Sequence, residues 1–344
     1  MKLLILTQAV DSSDSVLGFF HRWIEEFAKH CQKIVVICLK RGNYNLPENV
    51  LVHSLGKEQG PSRWKYLIRF YRYLWSERHN YEAVFVHMNS EYVILGWVWW
   101  KLWGKKVWLW NNHQRGNWAT WLALKLVDRV FYTSPFSYSA VVGGQKGKQM
   151  PVGIDETLFK EDGGVKPVPN SLLFLGRISP IKNLETLIAA AKLLDQEQTD
   201  FVLNIVGDSA EKDSSYLRRI KSAAEDLERR GRIKFWPATP NSLLPKIYNE
   251  NEIFINLTNS GSLDKTIMEA IFCGSLVLVS NQSLKDFLPQ EMIFKENDAA
   301  DLKNKISSLL KLDKGLKEKR RLELRHRALG EHRLADLIDQ ILTN

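Results

Sequence analysis

Two stretches of the chain gather the residue types that handle phosphate and sugar groups. The first is Leu173-Phe-Leu-Gly-Arg-Ile-Ser-Pro-Ile-Lys-Asn-Leu184, in which Gly176 and Arg177 close an apolar run and Lys182 stands just before a helical pattern. Ligands of open α/β sheets sit beyond the carboxyl ends of the strands, and two cations placed there suit a diphosphate. An ordinary strand-to-helix loop with solvated charges has the same spacing. The second is Asn259-Ser-Gly-Ser-Leu-Asp-Lys-Thr-Ile-Met-Glu-Ala-Ile-Phe-Cys-Gly274, a polar loop that runs straight into a helix. The amides of that helix's first turn attract phosphate oxygens, and Glu269 lies far enough along to meet a sugar hydroxyl. The plainer readings are a surface glutamate at Glu269 and a helix N-cap at Asp264.

The elements that must position these residues alternate between short apolar runs and longer helical patterns. In the first half the strand-like runs are Leu3–Thr7, Ile34–Leu39, Ala83–His87, Val107–Trp110 and Arg129–Thr133. In the second half they are Ser171–Gly176, Phe201–Val206, Ile233–Trp236, Ile253–Leu257 and Leu276–Ser280. Such alternation predicts parallel sheets with crossover helices. With 344 residues against a prior of ~100–200 per domain, two α/β lobes are expected, with a cleft between them. Residues 161–170, with Gly163, Gly164, Pro167 and Pro169, read as the linker. The expected division is therefore 1–160, linker 161–170, 171–330, and a terminal helix 331–344 that packs back on the first lobe. The charged run Lys317-Glu-Lys-Arg-Arg321 reads as a solvated helix face.

Lys plus Arg number 48 and Asp plus Glu 39, so the net charge of +9 favours anionic partners without choosing among them. No apolar stretch approaches the ~20 residues of a spanning helix. The chain starts directly on a strand-like run with no leader pattern, from which a cytoplasmic protein is expected. Cys31, Cys38 and Cys273 lack metal-ligand spacing and read as reduced core thiols.

The order of the motifs carries a resemblance. Gly176-Arg177 followed by Lys182, then Ile205-Val-Gly-Asp208, then Met268-Glu-Ala-Ile-Phe-Cys-Gly-Ser275, with Pro151-Val-Gly-Ile-Asp155 and Phe159 before them, resembles the retaining nucleotide-sugar glycosyltransferases of family 4. The resemblance implies a GT-B fold: two Rossmann-like lobes, an interdomain cleft and C-terminal helices, the first lobe binding the acceptor and the second the nucleotide sugar. It implies transfer of a sugar from a UDP- or GDP-sugar to a hydroxyl, without metal or other cofactor. Arg177 and Lys182 would hold the donor diphosphate, and Glu269 would bond the ribose. Ser262, Leu263, Asp264, Lys265 and Thr266 would line the diphosphate and sugar pocket. Gly176 and Gly207 would flank the nucleotide, and Leu244 would approach the base. In the first lobe, His113 matches the family's functional histidine, against a purely structural role. Gly18, closing Asp14-Ser-Val-Leu-Gly18, would open the first helix near phosphate. His21 and His87 have weaker claims. The sequence departs from the family at Gly261, eight positions before Glu269, where an acidic residue is usual; Asp264 is the nearest substitute.

Eight of the twelve tryptophans fall between Trp97 and Trp121, and Trp64–Trp75 interleaves Lys65, Arg69 and Arg72 with aromatics. Two readings stand for the latter: contact with an anionic membrane surface at its cytoplasmic face, or a buried stripe of Trp64, Leu67, Ile68, Tyr71 and Trp75. The acceptor is accordingly a glycan or a lipid-linked molecule. A sugar-nucleotide epimerase or hydrolase shares the expected architecture, and Gly261 keeps a noncatalytic sugar-nucleotide-binding adaptor in view. Nucleic acid is not expected as a partner, because no recognition motif organises the cations.

Overall fold

The computed structural model describes residues 1–14 and 16–344. The chain runs β1 (Lys2–Val10), α1 (Gly18–His30), β2 (Lys33–Arg41), β3 (Val50–Ser54), α2 (Arg63–Ser76), β4 (Ala83–His87), α3 (Ser90–Leu102), β5 (Lys106–Trp110), α4 (Trp118–Leu126), β6 (Arg129–Tyr132), α5 (Tyr138–Val142) and β7 (Gly147–Gln149). It continues through β8 (Val168–Leu175), α6 (Leu184–Gln196), β9 (Val202–Val206), α7 (Ser214–Arg229), β10 (Ile233–Trp236), α8 (Leu244–Asn249), β11 (Asn251–Asn256), α9 (Lys265–Phe272) and β12 (Leu276–Val279). The last three helices are α10 (Ala299–Leu310), α11 (Lys314–Glu331) and α12 (Leu334–Leu342). Two compact units result: Met1–Gly153 with Leu334–Asn344, and Ile154–Arg333.

In the first unit a seven-stranded parallel sheet has the order β3-β2-β1-β4-β5-β6-β7. Strand pleating sends alternate residues to opposite faces, so each strand feeds two cores. Leu3, Ile5, Trp108 and Trp110 pack on one face with α1 and with Leu334, Leu337, Ile338 and Ile341 of α12. Leu4, Leu6, Val107 and Leu109 pack on the other with Phe70, Leu74, Trp100 and Ala123 of α2, α3 and α4. Of the clustered tryptophans, Trp108 and Trp110 enter the first core and Trp100, with Trp99 and Trp103 against it, the second, while Trp118 and Trp121 are exposed. His87 is fully enclosed, stacked on Phe20 with ring centroids 4.0 Å apart, and burial pushes its imidazole down to about 3. His21 is also buried, its Nε2 accepting from the Asn45 amide at 3.2 Å.

The second unit holds a five-stranded parallel sheet of order β10-β9-β8-β11-β12. The strand order reverses direction between β8 and β11, and open α/β sheets place ligands at the carboxyl ends of such a switch point. At that end two glycines meet. Gly176 (φ +149°) and Gly207 (φ +146°) follow β8 and β9, and a Cβ built on Gly207 would stand 2.0 Å from the Gly176 carbonyl oxygen. The turns after adjacent strands therefore close on each other only because one of them has no side chain.

Four expectations are corrected. Residues 161–170 are not a linker between units, since the division falls after Gly153 and β8 already begins at Val168, paired with Asn251 of β11. Strands β3 and β7 were not anticipated. The stripe of Trp64, Leu67, Ile68, Tyr71 and Trp75 is not the buried face of α2: Phe70 and Leu74 are, while Trp64 is 76% and Ile68 67% exposed. Lys317 is not solvated but pairs with Glu252 at 2.6 Å, both side chains largely covered. The cysteines are buried free thiols, and burial raises the Cys38 thiol to about 12.

Replacing Gly207 by alanine forces the Gly176 carbonyl to move, and neither backbone has a flexible end to yield. Strain of this kind costs about 1–3 kcal/mol. Gly207→Ala is expected to lower the unfolding midpoint in urea, and an unchanged midpoint would show that the two turns are not in contact.

Candidate functional site

The C-terminal ends of β8 and β11 carry the two sequence stretches into one place. Beyond β8, the chain passes Gly176 and the exposed Arg177 into a 3-10 turn, Pro180–Lys182, that leads into α6. Beyond β11, the polar loop from Leu257 to Leu263 leads to Asp264, the N-cap of α9, whose carboxylate accepts from the Thr266 amide at 3.3 Å. Lys182 and Asp264 meet across this junction in an ion pair between Nζ and Oδ2, with side-chain exposures of 18% and 13%. The ammonium also donates to Thr258 Oγ1 at 3.0 Å. Asp264 Oδ2 accepts further bonds from Asn256 Nδ2 at 3.1 Å and Thr258 Oγ1 at 3.3 Å. Burial alone would raise the carboxyl's pKa, but the Lys182 charge and these donors outweigh it and hold it well below the usual 3.8.

Both oxygens of Asp264 are therefore used inside the protein, and the carboxylate is both helix cap and counter-ion. It is not a free replacement for the acid absent at Gly261. Among the described residues no ion pair to a carboxylate is seen for the exposed Arg177, which follows β8 on the same turn that carries Lys182.

A second ion pair lies one turn further into α9. Glu269 is 1% exposed; its Oε1 pairs with Lys265 Nζ, and its Oε2 accepts from the Tyr248 hydroxyl at 3.0 Å. The reading of Glu269 as a surface glutamate is overturned, since α9 is buried through Thr266–Phe272. Burial and the Glu269 carboxylate together hold the Tyr248 phenol protonated, far above its ordinary value. Leu244 is itself buried, one turn before Tyr248 in α8.

The loop between β11 and α9 is fastened by side chains that the motifs did not include. Asn281 Nδ2 donates to the Ser262 carbonyl at 2.8 Å, and Ser260 is held through its amide (3.1 Å) and hydroxyl (2.8 Å) on Glu296. Asn256 reaches Thr266 Oγ1 at 3.3 Å while its own Oδ1 accepts from the Thr258 amide at 3.0 Å. An asparagine closing a buried apolar strand was the available signal for this network, because a buried amide must find partners.

His113 and Gly18 belong to the first unit. His113 sits on the exposed loop after β5, its imidazole drawn below its ordinary pKa by partial desolvation against the pull of Glu91. Gly18 opens α1, but the preceding amides of Val16 and Leu17 are both taken by Asp14 Oδ1 at 2.8 Å. Ser15 of that phrase lies outside the described residues. Among the described residues no group of three or more His, Cys, Asp or Glu is arranged to hold a metal ion.

A family model described as "Glycosyl transferases group 1" matches residues 155–328. A D-inositol 3-phosphate glycosyltransferase of Segniliparus rotundus is 27% identical over 144 residues, which span 40% of this chain and 32% of that protein. Among solved structures, HepE of Anabaena, in complex with UDP and glucose, aligns with a TM-score of 0.77 at 15% identity over 100% of this chain and 98% of its own. Sucrose-phosphate synthase from Thermosynechococcus elongatus aligns with a TM-score of 0.76 at 16% identity, over 100% and 98% of the two chains. These likenesses show the fold, the two-lobed GT-B form of α/β architecture.

The Lys182–Asp264 pair has a pH signature. Asp264 titrates lower folded than unfolded, so its contribution to stability is complete above ~4 and is lost as the pH falls through the folded value. Asp264→Asn leaves the ammonium without its counter-ion and is expected to cost about 2–3 kcal/mol at pH 7. The difference from the parent chain should shrink below ~pH 4 in denaturant titrations; a difference constant down to pH 2 would mean that the pair does not carry it.

Proposed function

Since the chain belongs to the glycosyl transferases of group 1, we propose that it is a retaining, family 4-like hexosyltransferase that moves a sugar from a UDP- or GDP-sugar to a hydroxyl of a glycan or lipid-linked acceptor. The observation that carries this reading is the position of Arg177, Lys182 and the N-terminus of α9 around the switch point of the second sheet. Such an arrangement suits a diphosphate: a guanidinium free to chelate two oxygens and an ammonium held in place, at the positive end of a helix. The UDP and glucose in the HepE complex support a uridine nucleotide as the first donor to test.

As the bond between the anomeric carbon and the diphosphate oxygen breaks, negative charge grows on the departing nucleotide. Arg177 and Lys182 stabilise that charge, and because Asp264 already balances Lys182, Arg177 supplies most of the net positive field. No metal is called upon in this scheme. Glu269, buried and held by Lys265 and Tyr248, is assigned to the ribose hydroxyls, which would have to bond to the lone pairs those partners leave. His113, on its exposed loop, is assigned to a sugar or acceptor hydroxyl, where a neutral imidazole both donates and accepts.

The acceptor reading draws on the first unit. The outer faces of α2, α3 and α4 leave Trp64, Ile68, Leu102, Trp118 and Trp121 in solvent, interspersed with Arg63, Lys65, Arg72, Lys101 and Lys125. An apolar surface flecked with cations suits peripheral attachment to an anionic bilayer. Among the described residues no helix is long and apolar enough to cross a membrane.

Two measurements test these readings. Arg177→Ala should lower the turnover of UDP- or GDP-sugar with acceptor by about 10²–10³, with an unaltered melting temperature because the side chain is exposed; an unchanged rate removes its role. The paired substitution Trp64→Ser with Ile68→Ser should weaken co-sedimentation with phosphatidylglycerol vesicles by at least about tenfold. Equal binding by parent and variant, or none by either, would leave the acceptor to be sought among soluble glycans.

A further inference from the structure

We propose that an uncovered face of the second sheet, around Trp236, is a binding site for the pyranose rings of a glycan chain, separate from the donor site. Parallel sheets normally have both faces covered, and their strands read as apolar throughout. On one face of this sheet α7 covers the edge, with Lys221 Nζ 5.5 Å from the centre of the Phe235 ring. On the other face α8 has only six residues and packs against β11, leaving β9 and β10 open. The register pairs Lys234 with Asn204 and Trp236 with Val206, so these four share the open face. The result is a cavity of about 740 Å³ whose lining includes Trp236, Asn204, Asn251, Ser171, Lys234 and Lys166.

The indole is 50% exposed and yet fixed. Its Nε1 donates to Asn204 Oδ1 at 3.0 Å, Asn204 Nδ2 donates to Asn251 Oδ1 at 2.8 Å, and Asn251 Nδ2 donates to the Ile247 carbonyl at 2.8 Å. This relay crosses from β10 to the start of β11 and orients the ring without burying it. A rigid aromatic plate loses little freedom on binding, which is what a weakly apolar ligand requires. Each amide oxygen in the relay keeps a second lone pair, and the Lys166 and Lys234 side chains stand exposed at the rim. A ring with an apolar C–H face and a hydroxyl edge matches a flat indole beside amides and ammonium groups.

A nucleotide fits less well. The glycine turns lie beyond the carboxyl ends of β8 and β9 and the helix N-terminus beyond that of β11. Trp236 closes β10 beside them, its carbonyl accepting from the Gly207 amide at 3.0 Å, and from there the cavity runs away toward Ser171, Lys234 and Asn251 near the amino ends of their strands. The transferase reading enters only in the identity of the glycan, taken to be a chain that the enzyme extends. Bound there, a growing chain would be retained between transfers.

The test is calorimetric titration of the full chain with cellohexaose and with a hyaluronan hexasaccharide, each repeated in saturating UDP. At least one is expected to bind, with Trp236→Ala weakening it about tenfold or more, Trp236→Phe restoring most of it, and UDP leaving it unchanged. The site is overturned if neither saccharide binds, if Trp236→Ala binds as well as the parent, or if UDP competes. Saccharide binding in a protein that transfers no sugar would uphold this site while removing the function proposed above.

Discussion

One ion pair organises the carboxyl end of the second unit's sheet. Lys182 comes from the turn after β8 and Asp264 from the cap of α9 after β11, and these two strands are neighbours at the point where the strand order reverses. An ammonium this enclosed would be costly alone. The carboxylate makes it tolerable, and Asn256 and Thr258 fix the pair's geometry through the remaining hydrogen-bonding capacity. The same carboxylate caps α9, so the lysine's placement and the direction of the helix amides are set by one group. The junction is therefore ordered by the protein's own groups, with Arg177 left outside the internal balance of charge.

Much of this frame is legible in the residues themselves. Every expected strand forms within a few residues of its place, because buried parallel strands are continuous apolar runs bounded by polar turns. Gly176 and Arg177 do follow a strand, β8, and Lys182 does stand just before a helix, α6, as their spacing expects. The strands that escaped notice are those without such a run: β7 is three residues, Gly147–Gln149, and β3 sits at the sheet edge with only Val52 buried. The Gly- and Pro-containing stretch 161–170 looked like a linker because composition reports local flexibility. What ties it down is nonlocal, as in the bond from the Asn170 amide to Glu252 Oε2 at 2.7 Å.

Partnerships are harder to foresee than positions. Lys182 and Asp264 are 82 residues apart, and nothing in either motif says that the two charges meet. Glu269 could be placed on a helix, but its burial depends on how α9 lies under α8 and brings Tyr248 over it. In α2, helical periodicity alone could not separate the face holding Phe70 and Leu74 from the one holding Trp64 and Ile68, because both are apolar. That ambiguity is itself informative: a helix apolar on both faces has one core to fill and one surface left to explain.

The most direct measurement is the structure of the chain bound to UDP, or to GDP if only that nucleotide binds. The two phosphates are expected to lie within ~3 Å of the Arg177 guanidinium and the Lys182 ammonium, near the N-terminus of α9. A diphosphate bound away from the ends of β8 and β11, with both cations turned to solvent or to Asp264 alone, would contradict it.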